Sequence, residues 1–151
     1  MKNNKVYFAS PWFTAEQEER EERLKTKLRS LGFVVHSPKE EAIVGTFAAP
    51  DTRQKIFKSN TDAIDNCDIV FAITDGKDMG TIWEAGYAYG ANNSRPKPAI
   101  IVYYCETLGN GIFNLMLAQS GDIILTKFED VDKLPELLAK GEKVSYVGRV
   151  E

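Results

Sequence analysis

The stretch that decides the fold is Asp68-Ile69-Val70-Phe71-Ala72-Ile73-Thr74, followed by the turn Asp75-Gly76-Lys77-Asp78 and the segment Met79-Gly80-Thr81-Ile82-Trp83-Glu84-Ala85-Gly86-Tyr87-Ala88-Tyr89-Gly90. A β-branched and aromatic run of this length, bounded by turn residues, is typical of an interior strand of a parallel sheet. The segment after the turn predicts a helix, which places Glu84 in its first turns. Glu84 is therefore expected beside the carboxyl end of a strand, where open α/β sheets bind their ligands.

Glu84 is the first candidate for chemistry. A carboxylate near the positive end of a helix is stabilised by about 0.3–1 kcal/mol, so we expect Glu84 to be ionised and able to act as a nucleophile. A lone glutamate at this position more often only stabilises its helix. Asp78 just upstream, Tyr87 one turn later and the three glycines of the segment favour the functional interpretation, because glycines permit close approach of backbone or ligand.

The bulk properties limit the class of protein. A chain of 151 residues predicts one domain. Its 19 basic and 22 acidic residues are interspersed and give a net charge of −3, so we expect no nucleic acid polymer as a partner. Cys67 and Cys105 lack metal-ligand spacing and are expected to be buried free thiols, and the single His36 is interpreted as a strand-end residue. The sequence predicts neither a metal nor a cofactor.

No part of the sequence predicts a membrane segment. The amino terminus is positively charged, but the apolar run after it is too short for a signal peptide. No segment approaches the roughly 20 apolar residues that are needed to cross a bilayer. We therefore expect a cytoplasmic protein that does not bind membranes.

The first half of the chain alternates strands and helices. Residues 5–9 predict a strand, residues 10–13 a loop, and Thr14 an N-cap whose capping box is completed by Gln17. The helix is expected to end near Leu31, before Gly32, and its charges are interpreted as a solvated outer face. Residues 33–36 predict a second strand. Residues 39–50 predict a long loop on the functional side, which can include a short helical turn. Asp51 is expected to cap a helix over residues 52–66.

The second half continues the alternation. Strands are predicted at residues 99–104 and 122–125, a short helix at 112–119, a last helix at 131–140 and a packed tail at 144–151. Five strands that alternate with helices predict a single-domain α/β fold with a parallel sheet covered on both faces. The expected arrangement is flavodoxin-like and doubly wound, with strand order 2-1-3-4-5.

This strand order brings separate loops together. Its switch point lies between the first and third strands, so residues 9–13 and 75–80 should meet. Tyr7, Trp12, Phe13, Asp78 and Glu84 are then expected to be neighbours, although none of them is adjacent to Glu84 in the sequence.

The absence of several known motifs narrows the range of reactions that the protein could catalyse. The sequence has no dinucleotide-binding glycine fingerprint and no nucleoside triphosphate loop, and the loop at residues 10–13 carries no basic side chain for a phosphate. One histidine disfavours a Ser-His-Asp hydrolase. Carboxylates, a tyrosine and aromatic walls remain. These are the groups of glycosyl chemistry, in which a carboxylate attacks an anomeric carbon and a second acid protonates the leaving group.

Several motifs together resemble the nucleoside 2-deoxyribosyltransferase family. They are Tyr7-Phe8-Ala9-Ser10-Pro11-Trp12-Phe13, Asn60-Thr61-Asp62, Asp78-Met79-Gly80-Thr81-Ile82-Trp83-Glu84-Ala85-Gly86-Tyr87-Ala88 and Asn114-Leu115-Met116. The resemblance implies that Glu84 is a nucleophile that forms a covalent 2-deoxyribosyl ester and that Tyr7 orients it. It also implies that Asp62 and Asp78 hold the nucleobase, one of them passing a proton to it.

The resemblance has further implications for the substrates and the assembly. The expected partners are small-molecule deoxynucleosides and free nucleobases. Apart from the resemblance, the short loop that contains Pro11 favours a pocket wall over the buried core for Trp12 and Phe13. Members of the family are oligomers, often hexamers assembled from dimers. Asn114, together with Met116, is then expected to cross a homo-oligomer interface and contact the primary hydroxyl of the sugar in a neighbouring site.

Two other functions stay open at the level of the sequence. A hydrolase on the same scaffold could cleave deoxynucleosides or their 5′-monophosphates with water as the acceptor, although the uncharged first loop disfavours the phosphate form. A non-catalytic flavodoxin-like module could bind nucleotides or a signalling partner. A phosphorelay receiver would need an acidic cluster and an aspartate at the end of its first strand, and residues 5–9 provide neither.

Overall fold

The computed structural model describes residues 4–41, 49–109 and 111–151. Its strands are β1 (Lys5–Ala9), β2 (Val34–His36), β3 (Ile69–Ile73), β4 (Ile100–Tyr104) and β5 (Ile123–Leu125). Its helices are α1 (Ala15–Ser30), α2 (Pro38–Glu41), α3 (Pro50–Asp65), α4 (Met79–Ala91), α5 (Leu115–Ser120) and α6 (Leu134–Lys140), with 3-10 helices at Asn92–Ser94 and Phe128–Lys133.

The five strands form one parallel sheet in the order β2-β1-β3-β4-β5, which confirms the predicted topology. Because successive side chains of a strand point to opposite faces, the sheet has two apolar layers. Val6, Phe8 and Phe71 pack in the layer that includes Leu24 and Leu28 of α1. The other layer lies beneath α3 and α4, and it includes Tyr7, Ala9, Val70, Ala72, Ile64, Ala85 and Ala88.

The start of α1 is fixed by the predicted capping box. The Thr14 hydroxyl oxygen accepts from the Gln17 backbone N–H at 3.2 Å, and Gln17 Oε1 accepts from the Thr14 N–H at 3.2 Å. Two backbone donors that the helix cannot satisfy internally are thereby satisfied. Gly32 follows the helix with a φ of +91°, a conformation that favours glycine, so the predicted stop is also confirmed.

Two predicted helix starts are wrong. Helix α3 begins at Pro50 rather than after Asp51, and its N-cap is Ala49, which makes no side-chain cap. A proline is well suited to the first turn, because its missing N–H would have no helical partner there. The short helix predicted from Ile112 begins only at Leu115, since the Asn114 side chain accepts from the next free backbone N–H groups and acts as the N-cap.

The structure gives more exact bounds for two other predicted segments. The short helical turn that the loop at 39–50 could include is α2, which spans Pro38–Glu41, while residues 42–48 lie outside the described residues. The last helix, predicted from Val131, begins as a 3-10 helix at Phe128 and becomes α-helical at Leu134.

The outer face of α1 is less solvated than the sequence predicts. Lys25 and Glu21 are 3% and 1% exposed in their side chains, with Lys25 Nζ 3.3 Å from Glu21 Oε1. Lys25 also lies 3.1 Å from Glu40 of α2, and Glu21 accepts a hydrogen bond of 2.9 Å from the Ser37 hydroxyl. A buried charge needs such partners to offset its loss of hydration. These contacts attach the end of β2 and the start of α2 to α1.

The carboxyl-terminal tail packs against the chain before α5, as predicted. Phe113 forms a parallel bridge with Val150, and the Leu115 N–H donates to the Glu151 carbonyl at 2.7 Å. The Tyr146 ring also lies against the Phe113 ring, with centroids 5.3 Å apart.

None of the helices within the described ranges is both long and apolar enough to cross a membrane. Among the same residues, no group of three or more histidine, cysteine, aspartate or glutamate side chains is arranged to hold a metal ion.

Candidate active site

Tyr7 and Glu84 meet at the carboxyl edge of the sheet. Tyr7 is the third residue of β1 and is fully buried, while Glu84 lies in the second turn of α4. The Tyr7 hydroxyl donates a hydrogen bond of 2.8 Å to Glu84 Oε1. Glu84 Oε2 makes no hydrogen bond within the described part of the chain. One carboxylate oxygen is therefore held in place, and the other is available to a ligand.

Burial changes the charge that the sequence predicts for Glu84. Loss of hydration raises its pKa to about 7, the Tyr7 hydrogen bond opposes this rise, and the nearby Asp78 carboxylate adds to it. Burial thus opposes the stabilisation that the helix terminus gives to the ionised carboxylate, and a group with a pKa of about 7 is partly ionised at neutral pH. Burial and the Glu84 carboxylate also raise the pKa of the Tyr7 hydroxyl, so this group acts as a hydrogen-bond donor.

Asp78 stabilises the start of α4, in addition to any role in the chemistry. It is the N-cap of α4, and its Oδ2 accepts from the Thr81 N–H at 2.8 Å and from the Thr81 hydroxyl at 3.0 Å. Its Oδ1 has no hydrogen-bond partner among the residues that the structure describes. Asp78 thus orients the helix that carries Glu84 and lies close enough to influence the Glu84 pKa.

The loop after β1 supplies aromatic surface. Trp12 and Phe13 contact each other with ring centroids 5.4 Å apart, and Phe13 is 73% exposed. Neither side chain is held in the core. They belong to the loop that follows β1, and within the described residues they make no hydrogen bond to Glu84.

Asp62 lies on a different helix from Glu84. It is an exposed residue of α3, and its carboxylate forms an ion pair with Lys58 one turn earlier. No hydrogen bond among the described residues joins Asp62 to Glu84 or to Asp78. In the next turn of α3, Asp65 accepts a hydrogen bond from the Tyr87 hydroxyl at 3.1 Å.

Asn114 and Met116 lie on the other flank of α4. They border a cavity of about 310 Å³ that is also lined by Ile82 of α4 and by the terminal residue Glu151. Residues two positions apart on a helix point roughly 200° apart around its axis, so Ile82 and Glu84 face opposite flanks. Glu84 is directed toward Tyr7 of β1 and is not among the residues that line this cavity. Asn114 and Met116 are therefore not brought to the Glu84 of their own chain.

Sequence reasoning missed one residue beside the pair. His36, which was interpreted only as a strand-end residue, is the register partner of Tyr7 on β2. The two rings stack with centroids 5.6 Å apart and an angle of 19° between their planes. The predicted strand order already places the second strand beside the first, with both residues near the strand ends, so their proximity could have been suspected from the sequence. Predicting the contact itself also needs the register of the two strands, which local sequence patterns do not specify.

The geometry defines what the site can do. A carboxylate with a pKa of about 7 can be ionised at neutral pH and can attack an electrophilic carbon. The Tyr7 hydroxyl can orient this group. A second carboxylate, Asp78, is at the start of the same helix. Such an arrangement suits substitution at an anomeric carbon.

Comparison with known proteins agrees with this chemistry. The sequence profile of the family described as nucleoside 2-deoxyribosyltransferase matches residues 6–123. The structure is similar to a 2-deoxyribosyltransferase from the psychrotolerant bacterium Bacillus psychrosaccharolyticus, with a TM-score of 0.82 and 29% identity over 95% of this chain and 99% of that chain. A conserved protein from Enterococcus faecalis V583 shares the fold, with a TM-score of 0.59 and 20% identity over 99% of this chain and 91% of that one. The comparison with curated proteins gave no significant match.

Proposed function

Since this chain belongs to the nucleoside 2-deoxyribosyltransferase family, a family of pentosyltransferases, we propose that it transfers 2-deoxyribose between nucleobases through a covalent ester on Glu84. The observation that carries the proposal is the hydrogen bond of 2.8 Å between the buried Tyr7 hydroxyl and Glu84 Oε1. It leaves Oε2 as the attacking atom and fixes the direction of attack. Orienting a nucleophile in this way lowers the entropic part of the barrier.

In the first step, Glu84 Oε2 forms a bond to C1′ of the deoxynucleoside while the bond from C1′ to the base nitrogen breaks. The electron pair of that bond goes to the base, which takes up a proton as it leaves. Asp78, whose Oδ1 is not used in capping the helix, is the candidate that handles this proton. The product is a free nucleobase and a 2-deoxyribosyl ester of Glu84.

In the second step, a nitrogen of a different base attacks C1′ of the ester, and the carboxylate of Glu84 leaves. The proton of that nitrogen passes to Asp78, which restores the proton given to the first base. Two displacements at C1′ retain the configuration of the sugar. Asp78 and Asp62 are proposed to hold the edge of the base, and Trp12 and Phe13 to cover its face by stacking. The ion pair of Asp62 with Lys58 is exposed and is worth about 0–1 kcal/mol, so a bound base could displace it at little cost.

The proposed transfer is tested by incubating the protein with deoxyinosine and adenine and separating the products by chromatography. We expect deoxyadenosine and hypoxanthine in equal amounts. Hypoxanthine together with free deoxyribose would instead identify a hydrolase, with water as the acceptor. No turnover of any deoxynucleoside, in a protein that still binds one, would indicate a non-catalytic binding module.

The proposal includes an oligomer in which Asn114 and Met116 complete the site of a neighbouring chain. Both side chains are exposed, and both lie on the flank of α4 that faces away from Glu84 of the same chain. Large apolar side chains are exposed around them and along α4, namely Met79, Trp83, Tyr89, Leu115 and Met116. Exposed apolar clusters are typical of protein interfaces. We propose a dimer-based homo-oligomer, up to a hexamer.

The pH dependence of the reaction is expected to report on Glu84. Because the attacking group is the carboxylate, kcat/KM should fall about tenfold per pH unit below a pKa of about 7. The Tyr7 hydrogen bond lowers the pKa of Glu84. Tyr7→Phe should therefore shift this acid limb to higher pH, in addition to reducing kcat/KM on the plateau by about 10- to 100-fold.

The matched control is Tyr89→Phe, which removes the hydroxyl of a half-exposed tyrosine on α4. This variant should keep the pH profile of the unmodified protein. An acid limb that stays in place or moves to lower pH in Tyr7→Phe would contradict the assigned role of Tyr7.

A further inference from the structure

The carboxyl-terminal tail, residues 144–151, is held at both of its ends. At its start, Val144 forms a parallel bridge with Ile123 of β5, which is an edge strand of the sheet. At its other end, Val150 forms a parallel bridge with Phe113, just before α5. The tail therefore connects the edge of the sheet to the segment that carries the start of α5.

Three main-chain hydrogen bonds hold the residues on both sides of Asn114. The Phe113 N–H donates to the Arg149 carbonyl at 3.0 Å, and the Phe113 carbonyl accepts from the Glu151 N–H at 3.1 Å. The Leu115 N–H donates to the Glu151 carbonyl at 2.7 Å. Glu151 takes part in two of these three bonds, so one residue of the tail fixes the chain before and after Asn114.

The packing of Phe113 decides to which side Asn114 points. Phe113 is 4% exposed, and its ring lies 6.5 Å from the Tyr103 ring and 5.3 Å from the Tyr146 ring. The backbone of Asn114 is extended, and successive side chains of an extended chain point to opposite sides. Because Phe113 points inward, Asn114 points outward and is exposed.

The side-chain amide of Asn114 is only partly used by the fold. Its Oδ1 accepts from the backbone N–H groups of Met116 at 3.0 Å and Leu117 at 3.3 Å, which caps α5. Its Nδ2 makes no hydrogen bond within the part of the chain that the structure describes. The cap thus fixes the amide plane and leaves two N–H donors available to an oxygen of a substrate.

We propose that Glu151 is a positioning residue for Asn114. Its main-chain N–H and carbonyl hold the residues on either side of Asn114, so the capping oxygen and the free amide donors keep one orientation before a ligand binds. The inference rests on the proposed function, in which Asn114 contacts the sugar in a neighbouring site. Glu151 touches no reacting atom and acts only through Asn114.

Amide hydrogen exchange, measured by NMR, tests this positioning without turnover. In a chain shortened by Glu151, exchange at Leu115 should be faster because its hydrogen-bond acceptor is gone. The decisive amides are those of Met116 and Leu117, which donate to Asn114 and not to the tail. Their exchange should accelerate about tenfold or more if Glu151 orients Asn114. Faster exchange at Leu115 alone would overturn the proposal.

Matched variants separate the main chain of Glu151 from its side chain. Glu151→Ala keeps both main-chain groups and should keep the slow exchange of Met116 and Leu117. Equally fast exchange in Glu151→Ala and in the shortened chain would overturn the proposal. Val147→Ala changes a tail side chain that is 96% exposed, so it should alter neither exchange nor activity. Glu151→Pro, which removes only the N–H, replaces the shortened chain if thermal unfolding shows that the latter is not folded.

Kinetics show whether the effect passes through Asn114. Loss of Glu151 should lower kcat/KM for transfer by about 10- to 100-fold, approaching the loss in Asn114→Ala. A positioning residue acts only through the group that it positions, so the two changes should not add. Asn114→Ala in the shortened chain should therefore be no less active than Asn114→Ala alone. Additive losses would overturn the proposal.

Subunit mixing distinguishes positioning of Asn114 from a contact between the tail and the Glu84 of the same chain. The shortened chain mixed with Glu84→Ala should recover activity, because Glu84→Ala supplies an intact tail and Asn114. The shortened chain mixed with Asn114→Ala should not, because both lack a positioned Asn114. The reverse pattern, or recovery in neither mixture, would overturn the proposal. Exchange at Met116 and Leu117 needs no turnover, so it distinguishes failure of this inference from failure of the proposed function.

Discussion

Replacing Glu84 with glutamine is expected to reduce transfer of deoxyribose by at least about 10⁴-fold, because an amide of the same shape cannot form the ester with C1′. Intact-mass measurement checks the same step without turnover. The unmodified protein, given a deoxynucleoside donor alone, should gain the mass of one 2-deoxyribosyl group, and Glu84→Gln should gain none.

The same substitution is expected to change stability with a definite pH dependence. Burial raises the pKa of Glu84 from 4.5 to about 7, so the folded protein binds this proton more tightly than the unfolded chain does. The ionised carboxylate therefore lowers the free energy of unfolding above pH 7, by about 1–3 kcal/mol, and this effect disappears below pH 4.5. Glu84→Gln should consequently raise the melting temperature at pH 8 and leave it nearly unchanged at pH 4.

The control for both measurements is Glu142→Gln, which neutralises an exposed carboxylate just after α6. It should retain full activity and show no gain in stability at pH 8. Transfer by Glu84→Gln at more than about 1% of the normal rate, or a donor adduct on another residue, would refute the assignment of the nucleophile.

Mixing two inactive proteins is expected to restore activity, if Asn114 completes the site of a neighbouring chain. Glu84→Ala lacks the nucleophile and Asn114→Ala lacks the cross-interface contact, so each homo-oligomer should have only defective sites. A mixed dimer has one site that combines the Glu84 of one chain with the Asn114 of the other. Random exchange of subunits should make about one quarter of all sites complete, since each two-fold interface pairs the chains reciprocally.

The control is the mixture of Glu84→Ala with Glu84→Gln, which contains no intact Glu84 and should stay inactive. Sedimentation of the mixed sample confirms that subunits have exchanged. Asn114 also caps α5 through hydrogen bonds to the backbone of Met116 and Leu117, so Asn114→Asp, which keeps the cap, serves as a second partner. A mixture of exchanged subunits that shows no recovered activity would place Asn114 in its own site or in none.

The strand order and the meeting of Tyr7 with Glu84 were both predictable without coordinates. The five alternating units permit few topologies, because parallel crossovers are right-handed and the loops are short. The capping box at Thr14 was also predictable, since its donors and acceptors are three residues apart. The start of α5 was not, because the apolar residues of 112–119 indicate a helix while the side chain of Asn114 decides where it begins.

The prediction that the charged residues of α1 form a solvated outer face is wrong for at least two of them. Glu21 and Lys25 have the spacing and composition of a solvated helix face, yet α2 and Ser37 cover them. Whether a charged residue is buried depends on what lies above it. In this case the covering residues are distant from the centre of α1 along the chain.

The sequence by itself determined the parallel sheet, its order, the cap of α1 and the pairing of a tyrosine with a carboxylate, since these follow from periodicity, turn residues and chain connectivity. Only the tertiary structure decided that Glu84 has a pKa of about 7, that His36 stacks on Tyr7 and that Asn114 faces away from Glu84 of its own chain. The reason is physical. Loss of hydration, strand register and the flank to which a side chain points all depend on neighbours that folding supplies.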